Sequence, residues 1–193
     1  MGDQLLKRLT VVCTGSINAA LLPWWMARLR VKRPEIEVRV VVTRSAAQFV
    51  SVDALSVITG IPAMLDVWPP SVVHAPHVEL VEWSDAFAVY PATANVLARM
   101  AAGMTDTPSL LAMQCTTAPI AVAPALPEGA LEHPTMRRNL AVLSGVDNIV
   151  LVEPSPGRSW STGRDGARIP PAFPLVVQGL EDRLGSRAGK DTA

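Results

Sequence analysis

Three short segments place small hydroxyl and amide side chains beside glycine or proline, each just after an apolar run. They are Thr14, Gly15, Ser16, Ile17 and Asn18; then Thr43, Arg44 and Ser45; then Pro91, Ala92, Thr93, Ala94 and Asn95. Such residues at helix starts present N–H groups and hydroxyls to an anion such as a phosphate. The first segment has neither a GxGxxG pattern nor a P-loop lysine, so it reads equally as a plain strand-to-helix turn. The second reads equally as a helix N-cap. Three polar segments converging on one edge carry more weight than any one of them. His77 is a candidate general acid or base because imidazole titrates near neutral pH, although a lone histidine also serves as a surface or core hydrogen-bonding group. His74 lies three residues earlier, a spacing that can chelate, but no third ligand is evident. His133, next to Pro134, reads as a helix-entry residue. Cys13 and Cys115 are the only cysteines, and with three histidines they build neither a disulfide framework nor a Cys/His zinc site, so no metal is expected.

The elements that must position these residues alternate along the chain. Residues 9–14 form a short β-branched run ending in the first polar segment, which predicts a buried strand. A helix follows, with Leu22, Met26 and Leu29 on one face, Pro23 in its first turn and its end before Pro34. Residues 36–43 are the clearest strand, with Ile36, Val38, Val40 and Val42 on one side. Helical stretches are expected at 46–50 and 53–59. A third strand, 86–90, should stop at Pro91, and a helix over 94–102 should stop at Gly103. Thr107 and Pro108 read as N-cap and first-turn proline of a helix through Met113, and 120–123 is a fourth strand running into Pro124. Pro134 opens a helix that Gly145 closes, and 148–152 is a fifth strand. Residues 154–171, rich in Gly, Pro, Ser and Arg, read as a long functional or mobile loop. A terminal helix over 173–184 and a flexible tail over 185–193 complete the chain. Strands alternating with helices predict a single α/β domain over 1–184, a three-layer α/β/α fold with a mainly parallel sheet. Ligands of such folds lie at the carboxyl ends of the strands, where all three polar segments fall.

Composition narrows the function classes. In 193 residues, 49% are hydrophobic, and 17 Lys+Arg balance 17 Asp+Glu. A net charge of zero builds no field for nucleic acid or an anionic membrane, so neither partner is expected. No apolar run approaches the ~18 residues of a membrane span, and residues 1–10 have no uninterrupted apolar signal core. These features predict a soluble, cytoplasmic protein. Low net charge with high apolar content also favours self-association.

The stretch HVELVEWSDAFAVYPATANVLARMAAGMTD, residues 77–106, resembles the His-containing block and PASANT-like motif of the homo-oligomeric flavin-containing cysteine decarboxylases. That family includes phosphopantothenoylcysteine decarboxylases and the peptidyl-cysteine decarboxylases of lanthipeptide and related peptide biosynthesis. The resemblance extends through TGSINA, VVTRSAAQF and IAVAPA, covering about residues 9–152 in order. It implies a flavodoxin-like, Rossmann-type domain that assembles as a homotrimer, often as a dodecamer of four trimers, with FMN or alternatively FAD at a subunit interface. His77 matches the family's catalytic histidine. Gly15, Ser16, Ile17, Thr43, Ser45, Phe49, Thr93, Ala94, Asn95 and Ala125 match positions that hold the flavin.

Two departures separate the branches of the family. Its PxMNxxMW motif should fall at 124–131, where this chain reads PALPEGAL, with Pro127 in place of the asparagine that contacts substrate. The phosphopantothenoylcysteine branch also uses a cysteine in the loop after the last strand, and 154–171 contains none. The resemblance therefore implies a peptidyl-cysteine decarboxylase acting on a precursor peptide with a C-terminal cysteine, toward an aminovinyl-cysteine ring. Residues 154–171 would be the clamp over that peptide, with Arg158, Trp160, Ser161, Arg164 and Arg168 as candidate contacts. The alternatives are a phosphopantothenoylcysteine decarboxylase and a non-catalytic flavin-binding subunit that regulates a phosphatase.

Overall fold

The computed structural model describes residues 6–71, 75–160 and 162–188. Six parallel strands lie in the order β3-β2-β1-β4-β5-β6: β1 (Arg8–Cys13), β2 (Glu37–Val42), β3 (Met64–Leu65), β4 (Ala86–Thr93), β5 (Ile120–Ala125) and β6 (Ile149–Leu151). Among the described residues, seven α-helices cover them: α1 (Leu22–Lys32), α2 (Val52–Thr59), α3 (Pro76–Trp83), α4 (Ala94–Ala101), α5 (Pro108–Cys115), α6 (Pro134–Ser144) and α7 (Phe173–Ala188). Strand alternation divides the core in two. Leu9, Val11 and Cys13 of β1 face α1, α2 and α7, while Val12 faces the opposite layer of α3 to α6. The three-layer α/β/α fold expected from the alternation is thus present.

The chain winds from β1 outward through β2 to β3, then returns to place β4 on the other side of β1 and continues to β6. The helices leaving β1 and β4 diverge to opposite faces, so a crevice opens between the carboxyl ends of these two strands.

Several local readings need correction. Strand β4 does not stop at Pro91. Its ladder with β5 shifts register between Val89 and Ala92 and then resumes, so the missing proline N–H falls where no ladder bond is made. Residues 76–83, to which the sequence pattern assigns no element, form α3, with Pro76 in the first turn where its absent N–H costs nothing. Residues 154–171 are not an irregular loop but an antiparallel hairpin, β7 (Ser155–Arg158) with β8 (Asp165–Ile169), whose turn uses Gly163 at φ +67°. Thr107 does not cap α5 with its side chain. Asp66, buried at the end of β3, does so from a distance, accepting from the Ser109 N–H (2.9 Å) and Oγ (2.7 Å). The short stretch at 46–50 is a single 3-10 turn, Ala46–Gln48, and α7 runs past residue 184 to Ala188.

Helix α7 buries Phe173, Val176, Val177, Leu180 and Leu184 at helical spacing against the sheet. The Phe173 ring meets Tyr90 of β4 edge to face, centroids 5.1 Å apart. Burial pushes the Tyr90 phenol well above its ordinary pKa, and its hydroxyl donates to the Pro171 carbonyl (3.0 Å), fixing the chain where it leaves the hairpin. Phe173→Ala, which empties a fully buried site at this junction, is expected to lower unfolding free energy by about 3–5 kcal/mol in chemical denaturation.

Candidate functional site

The crevice begins with one hydroxyl. Thr14, buried directly after β1, donates from Oγ1 to the Pro91 carbonyl (2.5 Å) and accepts from the Thr93 N–H (3.1 Å). This side chain joins the ends of β1 and β4 and sets the spacing between the segments that follow. Ser16 then turns the chain, its Oγ accepting from the Asn18 N–H (3.3 Å) and side-chain amide (3.2 Å). Thr93 caps α4, accepting from the Val96 N–H (3.4 Å), so the helix N-terminus points into the crevice with Asn95 in its first turn. Gly15 is required by proximity: a Cβ there would fall 2.5 Å from the Ser45 Cβ.

A recess of about 640 Å³ results, within the range of small-molecule sites. Gly15, Ser16, Ile17, Phe49, Thr93, Ala94, Asn95 and Ala125 all line it. Thr43 and Ser45 do not. They border an adjoining recess of about 470 Å³ with Asp66 and Trp68, and a gap of about 30 Å³ that also touches Thr93 and Asn95. The hairpin forms the facing wall. Its β8 strand is held to the extension of β5 by a two-bond bridge, Leu126 N–H to the Arg168 carbonyl (2.8 Å) and Arg168 N–H to the Leu126 carbonyl (3.0 Å).

Arg158, Trp160 and Arg168 line the recess, and so does Pro127. Arg158 is engaged within the hairpin, its Nε donating to the Gly163 carbonyl. Arg164 is exposed and does not reach the recess. The two arginines are the charged residues of the lining, which gives the recess a positive character suited to phosphate or carboxylate. Ser161 and His74 lie outside the described residues.

His77 is not part of this lining. It is half-buried in the first turn of α3, with its ring edge-on to Trp68 at a centroid distance of 5.8 Å. Its Nδ1 is buried and has no hydrogen-bond partner among the described residues. Burial raises the Cys13 thiol to about 12, which removes it as a nucleophile. His133 caps α6 through Nδ1, accepting from the Thr135 N–H (3.3 Å). Among the described residues, no cluster of three or more His, Cys, Asp or Glu is arranged to hold a metal, and no helix is long and apolar enough to cross a membrane. Thr14 belongs to the first polar segment, but its bond across to β4 was not foreseen, and Asp66 and Trp68 were missed. The only sequence signal was polar or aromatic residues within three positions of a strand end.

A family model described as Flavoprotein matches residues 2–168. The chain belongs to the flavoprotein family. A "cypemycin cysteine dehydrogenase (decarboxylating)" of a Streptomyces species is 39% identical over 120 residues, 62% of this chain and 63% of that protein. A "Coenzyme A biosynthesis bifunctional protein CoaBC" of Bacillus subtilis (strain 168) is 34% identical over 123 residues, 62% of this chain and 30% of that protein. The chain thus spans less than two thirds of the length of either relative. The crystal structure of the cypemycin decarboxylase CypD superimposes with a TM-score of 0.77 at 28% identity, over 97% of this chain and 98% of that one. The FMN-dependent cysteine decarboxylase SpaF gives 0.73 at 26% identity, over 94% and 98%.

The residues of the recess fit a flavin. Ile17, Phe49 and Leu126 supply apolar wall for a flat heterocycle, and Ser16, Thr93, Asn95 and the N-terminus of α4 supply donors for a phosphate. Gly15→Ala must separate the first and second polar segments. At an overpacking cost of about 1–3 kcal/mol, flavin affinity is expected to fall about tenfold or more, read as flavin content after purification and by titration with added FMN.

Proposed function

We propose that this chain is an FMN-dependent decarboxylase of the C-terminal cysteine of a precursor peptide. The observation that carries the reading is the two-walled recess, with flavin-type residues on the strand ends and Trp160 and Arg168 facing them from the hairpin. The names of the relatives at 39% and 28% identity support it, as does the hairpin's lack of the cysteine that the phosphopantothenoylcysteine branch uses. The chemistry that the cofactor supplies when bound is acceptance of hydride from the cysteine Cβ, leaving a thioaldehyde whose C=S takes up the electrons as CO2 departs.

The chain's own residues orient the peptide and move protons. Arg168 holds the terminal carboxylate by charge-assisted hydrogen bonds, because Pro127 offers neither a side-chain donor nor an N–H. Trp160, exposed at the hairpin turn, covers the peptide behind its last residue. His77 takes the thiol proton as hydride leaves Cβ. Since its Nδ1 is buried, that transfer runs through Nε2. Because His77 stands outside the recess of its own chain, the site is completed by a second copy in a homotrimer, itself a unit of a dodecamer. Residues 1–184 act as one flavin-binding domain.

The reading is tested by mass spectrometry of short Cys-terminated peptides, which are expected to lose ~46 Da, CO2 plus two hydrogens. His77→Asn should keep flavin and assembly while turnover falls by about 10²–10⁴. At limiting FMN, mixed assemblies of His77→Asn with Gly15→Ala chains should exceed the activity of either variant alone. Arg168→Ala should lower kcat/KM by roughly tenfold or more, the worth of a contact of ~1.5–3 kcal/mol. Arg164→Ala should change it little. Unprocessed peptide with flavin-loaded protein overturns the proposal.

A further inference from the structure

The first turn of α3 gives the His77 ring little support of its own. The cap residue, Ala75, has no side-chain bond to offer, and the ring meets its aromatic neighbour, Trp68, from another part of the fold. Their planes are inclined at 71°, an edge-to-face pair of the kind that aromatic rings favour.

Trp68 is itself held from two sides. Its indole Nε1 donates to the Asp106 carbonyl (2.9 Å), and the Asp106 carboxylate is held by the Arg99 guanidinium of α4 (2.5 Å). Two residues before it, Asp66 is buried and anchored to Ser109 at the start of α5. The backbone leading to Trp68 and the far end of its indole are therefore both fixed to the layer that carries α4 and α5. Trp68 also borders the recess that Thr43 and Ser45 line, which places the pair beside the strand-end chemistry without entering the main recess.

We propose that Trp68 is a positioning residue: clamped between Asp66 and Asp106, it holds the His77 imidazole in the orientation that presents Nε2 for proton transfer. The inference rests on the assignment of His77 as the acid–base group. Trp68 touches no reacting atom, and its effect is confined to what His77 does.

The test reads the His77 Cε1–H resonance in the flavin-loaded protein together with steady-state kinetics. In Trp68→Ala the resonance should move, and kcat should fall by about ten- to a hundredfold, as a misplaced catalytic group costs, with KM within about twofold. Trp68→Phe keeps an aromatic ring but loses the bond to Asp106. It should return kcat to within about threefold of the parent, while Arg99→Gln should displace the resonance partway. On a His77→Asn background, Trp68→Ala should cost nothing further. The positioning role is overturned by an unmoved resonance in Trp68→Ala, or by an equal loss on both backgrounds. Parental turnover by His77→Asn instead overturns the acid–base assignment, whatever the resonance does.

Discussion

The carboxyl edge of the sheet depends on the Thr14 hydroxyl, which bonds to Pro91 and Thr93 across the point where the strand order reverses. A hydroxyl has one proton to give and lone pairs to accept with, and here it uses both functions on the backbone of one neighbouring strand. Each bond contributes about 1 kcal/mol net, but the geometric consequence is larger. With β1 and β4 joined at this point, Gly15 comes against Ser45, Thr93 is placed to cap α4, and the donors of two helix starts share one crevice. A side chain lacking either function would leave the Thr93 N–H or the Pro91 carbonyl without this partner inside the protein.

The second constraint is the pair of backbone bonds between Leu126 and Arg168. They tie the hairpin, a sheet of its own, to the chain just past β5, so its inner face is held against the strand ends. They also separate the roles of the three arginines. Arg158 is occupied with the hairpin turn, Arg164 is exposed and outside the recess lining, and Arg168 sits on the bridge itself at the recess wall.

Much of this was legible because burial imposes period. The apolar runs of β1, β2, β5 and β6 and the faces of α1, α6 and α7 announced themselves within a few residues, and two of the three polar strand ends line the recess. What stayed hidden depends on contacts distant in sequence. Strand β3 has two residues, too few for any period, yet it delivers Asp66 and Trp68. The hairpin is rich in Gly, Pro and Ser, a composition that reads as loop, yet its two strands pair with each other and are tied to the end of β5 by one bridge. Thr107 has the right residue type for a cap, but Asp66, more than forty residues earlier in the chain, takes that task. His77 was identified by its residue type and its resemblance, while its exclusion from the recess of its own chain follows only from the three-dimensional placement of α3.

Recess, hairpin and histidine form one account, in which oxidation of a peptide's terminal cysteine and loss of its carboxylate are linked in a single site. Anaerobic mixing of the flavin-loaded protein with a Cys-terminated peptide tests that linkage most directly, with visible flavin absorption and peptide mass followed together. The account predicts one flavin bleached for each peptide that loses ~46 Da, and neither change with a Ser-terminated peptide. Loss of CO2 while the flavin stays oxidised, or bleaching without any change in peptide mass, would contradict it.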